Sequence, residues 1–157
     1  MLYCSWWQPL GRCSESRKVN NSANIIKAMV RLWRANTTLT AIPLFPAGKA
    51  VAGNNVQYAT IACDPGVKEY NSGVTYTQNY FVTFEVFSTN LLADAQAVAD
   101  KIGSVFDFVG DSFGEVLGQV LTVIPMPETT APDPAEQLGK VVHTVTARWA
   151  VKVCQRR

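Results

Sequence analysis

Residues 74–88, VTYTQNYFVTFEVFS, are the stretch that decides the fold. Apolar or aromatic side chains occupy the even positions from Val74 to Val86, and only Gln78 interrupts them. Polar residues alternate with Phe81 and Phe87 at the odd positions. A period of two over this length predicts a β-strand about twice as long as usual, with its even face in the core. We expect part of so long a strand to extend past the core of its own domain.

Two amphipathic helices, each with an apolar stripe typical of core packing, flank this strand in the sequence. The first follows the capping candidates Asn21 and Ser22 and is predicted to end near Asn36. Its stripe consists of Ile25, Met29, Leu32 and Trp33. The second is predicted to begin after a cap within residues 88–90. Its stripe consists of Leu91, Ala95, Val98, Ile102, Val105, Phe106 and Val109.

Further strands are predicted where apolar or alternating residues recur. These segments are 42–45, 56–63, 116–124 and 141–153. The predicted order of elements is therefore α-β-β-β-α-β-β. Because a chain of 157 residues suits one core, we predict a single-domain α+β fold. In this fold the two helices pack on one face of a mostly antiparallel sheet.

Two segments inside the domain are predicted to interrupt the regular structure. Residues 64–66, with the sequence DPG, combine the residue types of a tight turn. Residues 125–134, PMPETTAPDP, contain four prolines and predict an extended loop without regular structure.

Residues 1–20 have no sustained period and predict an irregular arm ahead of the α+β domain at 21–157. Trp6 and Trp7 are costly to leave in water, so we expect the arm to dock on its own domain or on a partner. Its basic residues Arg12, Arg17 and Lys18 could also contact nucleic acid through charge and stacking.

The formal net charge of +2 conceals an uneven distribution along the chain. Residues 1–34 carry six basic and one acidic side chain, and residues 140–157 carry five basic and none acidic. Residues 35–139 carry three basic and eleven acidic side chains. Opposite charges of this kind can meet within the fold or between neighbouring copies. The alternative is an ordinary solvated surface of mixed charge.

The residue types needed for catalysis or metal binding do not form a recognisable pattern. Cys4, Cys13, Cys63 and Cys154 lack metal-ligand spacing, and isolated thiols or a single Cys4–Cys13 bridge remain open. His143 is the only histidine and lies in a predicted strand, where a structural role is favoured over a catalytic one. Asp107 and Asp111 share a helical face, but no apolar partner would shift their pKa values. We therefore predict no enzyme, no cofactor and no metal.

No stretch has the roughly 18 consecutive apolar residues that a membrane helix requires, and residues 2–7 are too short for a signal sequence. We expect no membrane partner and no export.

Four stretches together resemble the tail-terminator, or tail-completion, proteins of long-tailed bacteriophages. They are MVRLWRANTTLTAIPLFPAG at 29–48, GVTYTQNYFVTFEVFSTN at 73–90, LLADAQAVADKIGSVFDF at 91–108 and VVHTVTARWAVKV at 141–153. The resemblance is one of pattern and order over about residues 22–154, without a diagnostic motif. The arm and the Pro-rich segment have no counterpart in that pattern.

The resemblance implies a small subunit that forms a homo-oligomeric ring, expected to be a hexamer, on the end of the tail tube. Such a ring stops tube growth and presents the surface that joins the head. The implied partners are the tail tube protein, a head–tail connector protein and transiting DNA. The implied location is the virion, after assembly in the host cytoplasm. Another connector or head-completion protein is the alternative, and a small nucleic-acid or ligand-binding domain is a more distant one.

Candidate contacts with subunits or partners come from three predicted elements. They are Phe81 and Phe87 on the odd face of the long strand, the acidic Asp100, Asp107 and Asp111, and the basic Arg148 and Lys152 of the last strand. A ring needs two unlike patches on each subunit, and acidic and basic groups supply them.

Overall fold

A computed structural model describes residues 21–48, 56–107, 113, 114, 116, 118–130, 135–137 and 139–156. The elements are α1 (Asn21–Ala35), α2 (Thr37–Thr40), β1 (Leu44–Pro46), β2 (Gln57–Tyr70), β3 (Thr75–Ser88), α3 (Leu92–Phe106), β4 (Gln119–Thr130), β5 (Ala135–Gln137) and β6 (Lys140–Arg156). The predicted α+β class and element order are confirmed, with α2 and β5 as short additions. None of the helices in these ranges is long and apolar enough to cross a membrane.

The strands form one sheet in the order β1-β2-β3-β6-β4, and the short β5 pairs with the beginning of β6. The pair β1–β2 is parallel, and the other described pairs are antiparallel. Strand β3 is the centre of the sheet because it pairs with β2 on one side and with β6 on the other along its whole length.

The core lies between the sheet and the helices, which pack on one face of the sheet as predicted. The even residues of β3 that are buried in this core are Tyr80, Val82, Phe84 and Val86. Val74 is 62% exposed, so the predicted core face is wrong at this position. The reason is that Val74 lies in the turn before β3, outside the sheet that the helices cover.

The turn predicted at residues 64–66 is wrong, because β2 continues to Tyr70 and the chain reverses at residues 71–74. The Ser72 hydroxyl closes this turn by accepting hydrogen bonds from the backbone N–H groups of Val74 (3.2 Å) and Thr75 (3.0 Å). The reversal therefore uses a serine side chain and no proline.

Pro65 and Gly66 instead form an irregularity within β2, where the register with β3 shifts after Pro65. Strand β1 pairs with residues 59–61 of β2, so Pro65 lies beyond β1 on an outer edge, where a missing N–H is tolerated. Gly66 allows the ring of Phe81 to approach, since a Cβ at Gly66 would lie 2.9 Å from Phe81 Cε2. These residues, whose types are typical of a turn, therefore form a bulge within β2.

The loop predicted at 125–134 is also wrong over its first half, because β4 continues through Pro125 and Pro127 to Thr130. Among the described strands β4 lies at the edge of the sheet and pairs only with β6, so its prolines need not donate to a second neighbour. The register with β6 shifts between Met126 and Thr129, on either side of Pro127. Residues 131–134 lie outside the described part of the chain.

The predicted end of the first helix is confirmed, whereas the predicted beginning of the second helix is not. Helix α1 ends at Ala35 as predicted, and Asn36 then caps α2 by accepting from the N–H groups of Thr38 and Leu39, both at 3.1 Å. The cap predicted for the second helix is wrong, because Leu91 occupies the N-cap of α3 without a side-chain hydrogen bond. Ser88 Oγ instead accepts from Asn90 N within the connection.

Candidate contact surface

The sheet face opposite the helices, called the open face here, consists of the odd residues of β3 and the residues paired with them. Two rows cross its centre, Asp64–Phe81–Ala150–Ile124 and Ala62–Thr83–Arg148–Met126. Directly paired residues point to the same side of a sheet, so each row is a line of neighbouring side chains. The three described helices all contribute to the core on the other side.

Apolar side chains are exposed in both rows of the open face. Phe81 is 37% exposed, Ile124 53% and Met126 37%. They lie on β3 and on β4, with β6 between them. Exposed apolar residues that gather on one face, with polar residues around them, mark contact sites more often than scattered ones do.

Charges on the open face are separated by strand. Asp64 and Glu85 are exposed on β2 and β3, whereas Arg148 and Lys152 lie on β6. The Lys152 Nζ lies 3.6 Å from Glu69 Oε2, and the two side chains are 38% and 62% exposed, so this surface ion pair contributes little to stability. Arg148 is exposed, and its guanidinium has no ion pair with any residue in the described ranges.

Phe87 lies at the margin of the open face and is half-buried. Its ring stacks on Tyr58 at a centroid distance of 4.6 Å, and Tyr58 meets Phe45 of β1 edge to face at 6.3 Å. Burial, together with the nearby Glu85 carboxylate, raises the pKa of Tyr58 above its ordinary value. Through this aromatic stack Phe87 helps to hold β1 against the sheet. The part of its ring that packs on Tyr58 is not available to a partner.

Four of the seven predicted contact residues come together on this face, namely Phe81, Phe87, Arg148 and Lys152. Asp100 and Asp107 belong to the helix layer on the other side of the sheet. Asp100 is exposed and accepts a hydrogen bond from Gln96 Nε2 at 3.1 Å. Asp111 lies outside the described residues.

Asp107 has a structural contact that the sequence did not reveal. Its Oδ1 accepts a hydrogen bond of 2.8 Å from the indole N–H of Trp149, which is almost fully buried in β6. Its own N–H donates the last helical hydrogen bond, to Gly103 O at 3.0 Å, and α3 ends here because Asp107 has an extended backbone with ψ 126°. Because a buried indole N–H needs an acceptor, Asp107 fixes the end of α3 on the sheet.

Replacing Asp107 with alanine is expected to lower the free energy of unfolding by about 1–3 kcal/mol, because the indole N–H of Trp149 loses its acceptor. Asp107→Asn keeps a side-chain oxygen at this position and should lose less. Urea unfolding followed by circular dichroism measures both variants. Equal stability of Asp107→Ala and the unaltered protein would contradict this role.

The described residues contain little that could carry out chemistry. Among them, no group of three His, Cys, Asp or Glu could hold a metal ion. Burial raises the pKa of the Cys63 thiol to about 12, so it stays protonated at neutral pH and is a poor nucleophile. His143 is half-buried at the start of β6, opposite Ser88 of β3.

Three residues of this face, Asp64, Ile124 and Met126, are absent from the contact residues predicted from the sequence. Asp64 was assigned to a turn, and Met126 to the Pro-rich loop. The available signal is the period of two through Thr122, Ile124 and Met126, which continues across Pro125. Val120 packs against the core, because the register with β6 shifts between Val120 and Thr122.

The fold defines a class of protein: a two-layer α+β domain with helices on one face of the sheet and exposed apolar and charged side chains on the other. No protein-family model matches the sequence, and neither does any curated protein.

Among solved structures, the chain is similar to a chain titled "Virion of native gene transfer agent (GTA) particle". The TM-score is 0.62 at 12% sequence identity, and the match covers 88% of this chain and 98% of that chain. A second solved chain is 14% identical, and the match covers 82% of this chain and 91% of that chain. Its TM-score of 0.43 does not indicate a shared fold. At such identity the first likeness establishes a shared fold.

Proposed function

We propose that this protein is a non-enzymatic structural component of a phage-type virion and acts as its tail terminator. In this role, copies of the chain form a ring, expected to be a hexamer, on the end of the tail tube. The ring stops polymerisation of the tube protein and offers its other side to the head–tail connector, with DNA passing through the centre.

The observation that carries the proposal is the composition of the open face. Phe81 and Ile124 provide apolar contact area, with acidic groups on β2 and β3 and basic groups on β6. A closed ring requires a heterologous interface, in which one patch meets a different patch of the next copy. Acidic and basic strands on one face supply unlike patches and fix the orientation in which two copies meet.

The fold likeness supports the same class of function. The similar chain belongs to a virion, and almost its full length is covered by the fold of this chain. The order of helices and strands also agrees with the tail-terminator pattern in the sequence. Fold alone does not determine function, so the proposal depends on the composition of the open face.

A different head–tail connector component is the second candidate, because a virion likeness and a ring interface fit any subunit of the neck. The two roles differ in the structure to which the ring binds. A terminator binds the free end of the tail tube, whereas a connector binds the head side without tubes.

Mixing the purified protein with intact tail tubes and imaging them by negative-stain electron microscopy tests the proposal. We expect ring-shaped density at one tube end and no further growth of capped tubes when tube protein is added. Uncapped growth at the same protein concentration would overturn the terminator role. Binding to tail-less heads, with bare tube ends, would favour the connector.

A further inference from the structure

A second surface is a groove of about 560 Å³ between α1 and β1, one of whose lining residues, Phe45, also contacts Tyr58 at the margin of the open face. We call it the α1–β1 groove. Its half-buried apolar walls are formed by Ile26, Val30, Ile42, Leu44 and Phe45. The volume lies in the range of sites that hold a ligand or several large side chains.

The groove exists because α1 has more apolar residues than the sheet can cover. Ile25 and Met29 point into the core and are fully buried, whereas Ile26 and Val30 lie one position further round the helix. Strand β1, which would face them, is only three residues long. An occupant that covers these half-exposed walls gains about 25 cal/mol of free energy for each Å² of apolar surface removed from water.

The occupant with the right chemistry is the segment directly before α1 in the sequence. Residues 1–11, which lie outside the described part of the chain, carry no charged side chain. Their large apolar and aromatic residues are Leu2, Tyr3, Trp6, Trp7 and Leu10. The basic residues of the arm come later, at positions 12, 17 and 18. An uncharged, aromatic segment matches an apolar groove.

The connection is long enough for this segment to reach the groove of its own copy. Val30 lies nine residues beyond Asn21 in α1, which is about 14 Å along the helix axis. The residues between Trp7 and Asn21 can span up to about 45 Å when extended. A short covalent connection also gives the segment a local concentration in the millimolar range, far above that of another copy.

The charge at the rim of the groove also fits an indole ring. Arg34 lines the groove beside Trp33, and its side chain is exposed. A guanidinium within about 6 Å of an indole face contributes a favourable cation–π contact.

We propose that the α1–β1 groove is the docking site of the chain's own N-terminal segment, with the Trp6–Trp7 pair seated between Val30 and Leu44. This inference goes beyond the proposed function and concerns the isolated chain. Docking covers an apolar surface that would otherwise be open to unrelated partners.

Thiol cross-linking in the full chain tests the proposal, because Cys4 lies two residues from Trp6. In a chain in which Cys13, Cys63 and Cys154 are replaced by alanine, Val30→Cys places a second thiol in the groove. A short bis-maleimide is added at micromolar protein, and the products are analysed on denaturing gels and by peptide mass spectrometry. We expect rapid intramolecular linkage of position 4 to position 30.

The matched control is Ala97→Cys in the same background, at an exposed position of α3. Its linkage to Cys4 should be at least about 10-fold slower, but part of this difference can come from the distance of each position from Asn21, so the tryptophan variants separate docking from tethering. Adding Trp6→Ala and Trp7→Ala to the Val30→Cys chain should slow the linkage by a similar factor. Circular dichroism must show that each variant is folded.

Three outcomes would overturn the proposal. They are equal rates at positions 30 and 97, a rate at position 30 that does not depend on the two tryptophans, and linkage found only between two chains. The last result would assign the groove to the arm of another copy. Each of them leaves the tail-tube experiment unaffected, so the two proposals fail independently.

Discussion

Replacing Phe84 with alanine is expected to lower the free energy of unfolding by about 3–5 kcal/mol. Phe84 is fully buried at the centre of β3. Its ring stacks on Trp33 of α1 at 5.7 Å and on Phe106 of α3 at 5.2 Å, and it meets Trp149 of β6 edge to face at 5.7 Å. Removal of the ring leaves a cavity between two helices and the sheet, which neighbouring rings cannot fill without moving.

The matched control is Phe81→Ala, the same change three residues earlier on the same strand. Phe81 points to the open face, so its truncation should lower stability by less than about 1 kcal/mol. Urea unfolding measures both variants, and Phe84→Leu provides a smaller loss if Phe84→Ala does not fold. Similar losses for Phe84→Ala and Phe81→Ala would show that the two faces of β3 have been assigned wrongly.

Replacing Phe81 with aspartate is expected to weaken binding to the tail-tube end at least about 30-fold, which corresponds to about 2 kcal/mol. Phe81 lies in the middle of the row that joins Asp64 to Ile124. A partner that covers this row would lose its apolar contact with the Phe81 ring and would bury a charged carboxylate in its place, directly beside Asp64. The fold should tolerate the change, because this position is partly solvated.

Binding is measured as the fraction of tube ends that carry a ring at increasing protein concentration. Ala97→Asp introduces the same charge on the exposed side of α3 and serves as the matched control. If Phe81→Asp binds as well as Ala97→Asp does, the open face is not the contact surface. If both lose binding, the effect comes from net charge or from the helix layer.

The candidate surface was only partly predictable from the sequence. Phe81, Arg148 and Lys152 could be placed on strand faces because alternation is a local property. Their grouping on one face follows from the pairing of β3 with β6, whose residues are separated by about 70 positions in the chain. The contact of Asp107 was not predictable in this way. Asp107 is a predicted partner contact, but in the structure it accepts a hydrogen bond from Trp149 of its own chain.

The sequence by itself determined the two helices, the long strand β3, the last strand and the α+β order, because the spacing of apolar residues records which side of each element is buried. Only the tertiary structure decided that Pro65 and Pro125 lie within strands and not in a turn or a loop. Pro65 and Pro125 are compatible with strands because each lies on a side of its strand that has no neighbour among the described strands. The order of the strands is set by contacts between distant segments. The open face is decided in the same way, since it exists only once four strands lie side by side and the helices have packed on the other side.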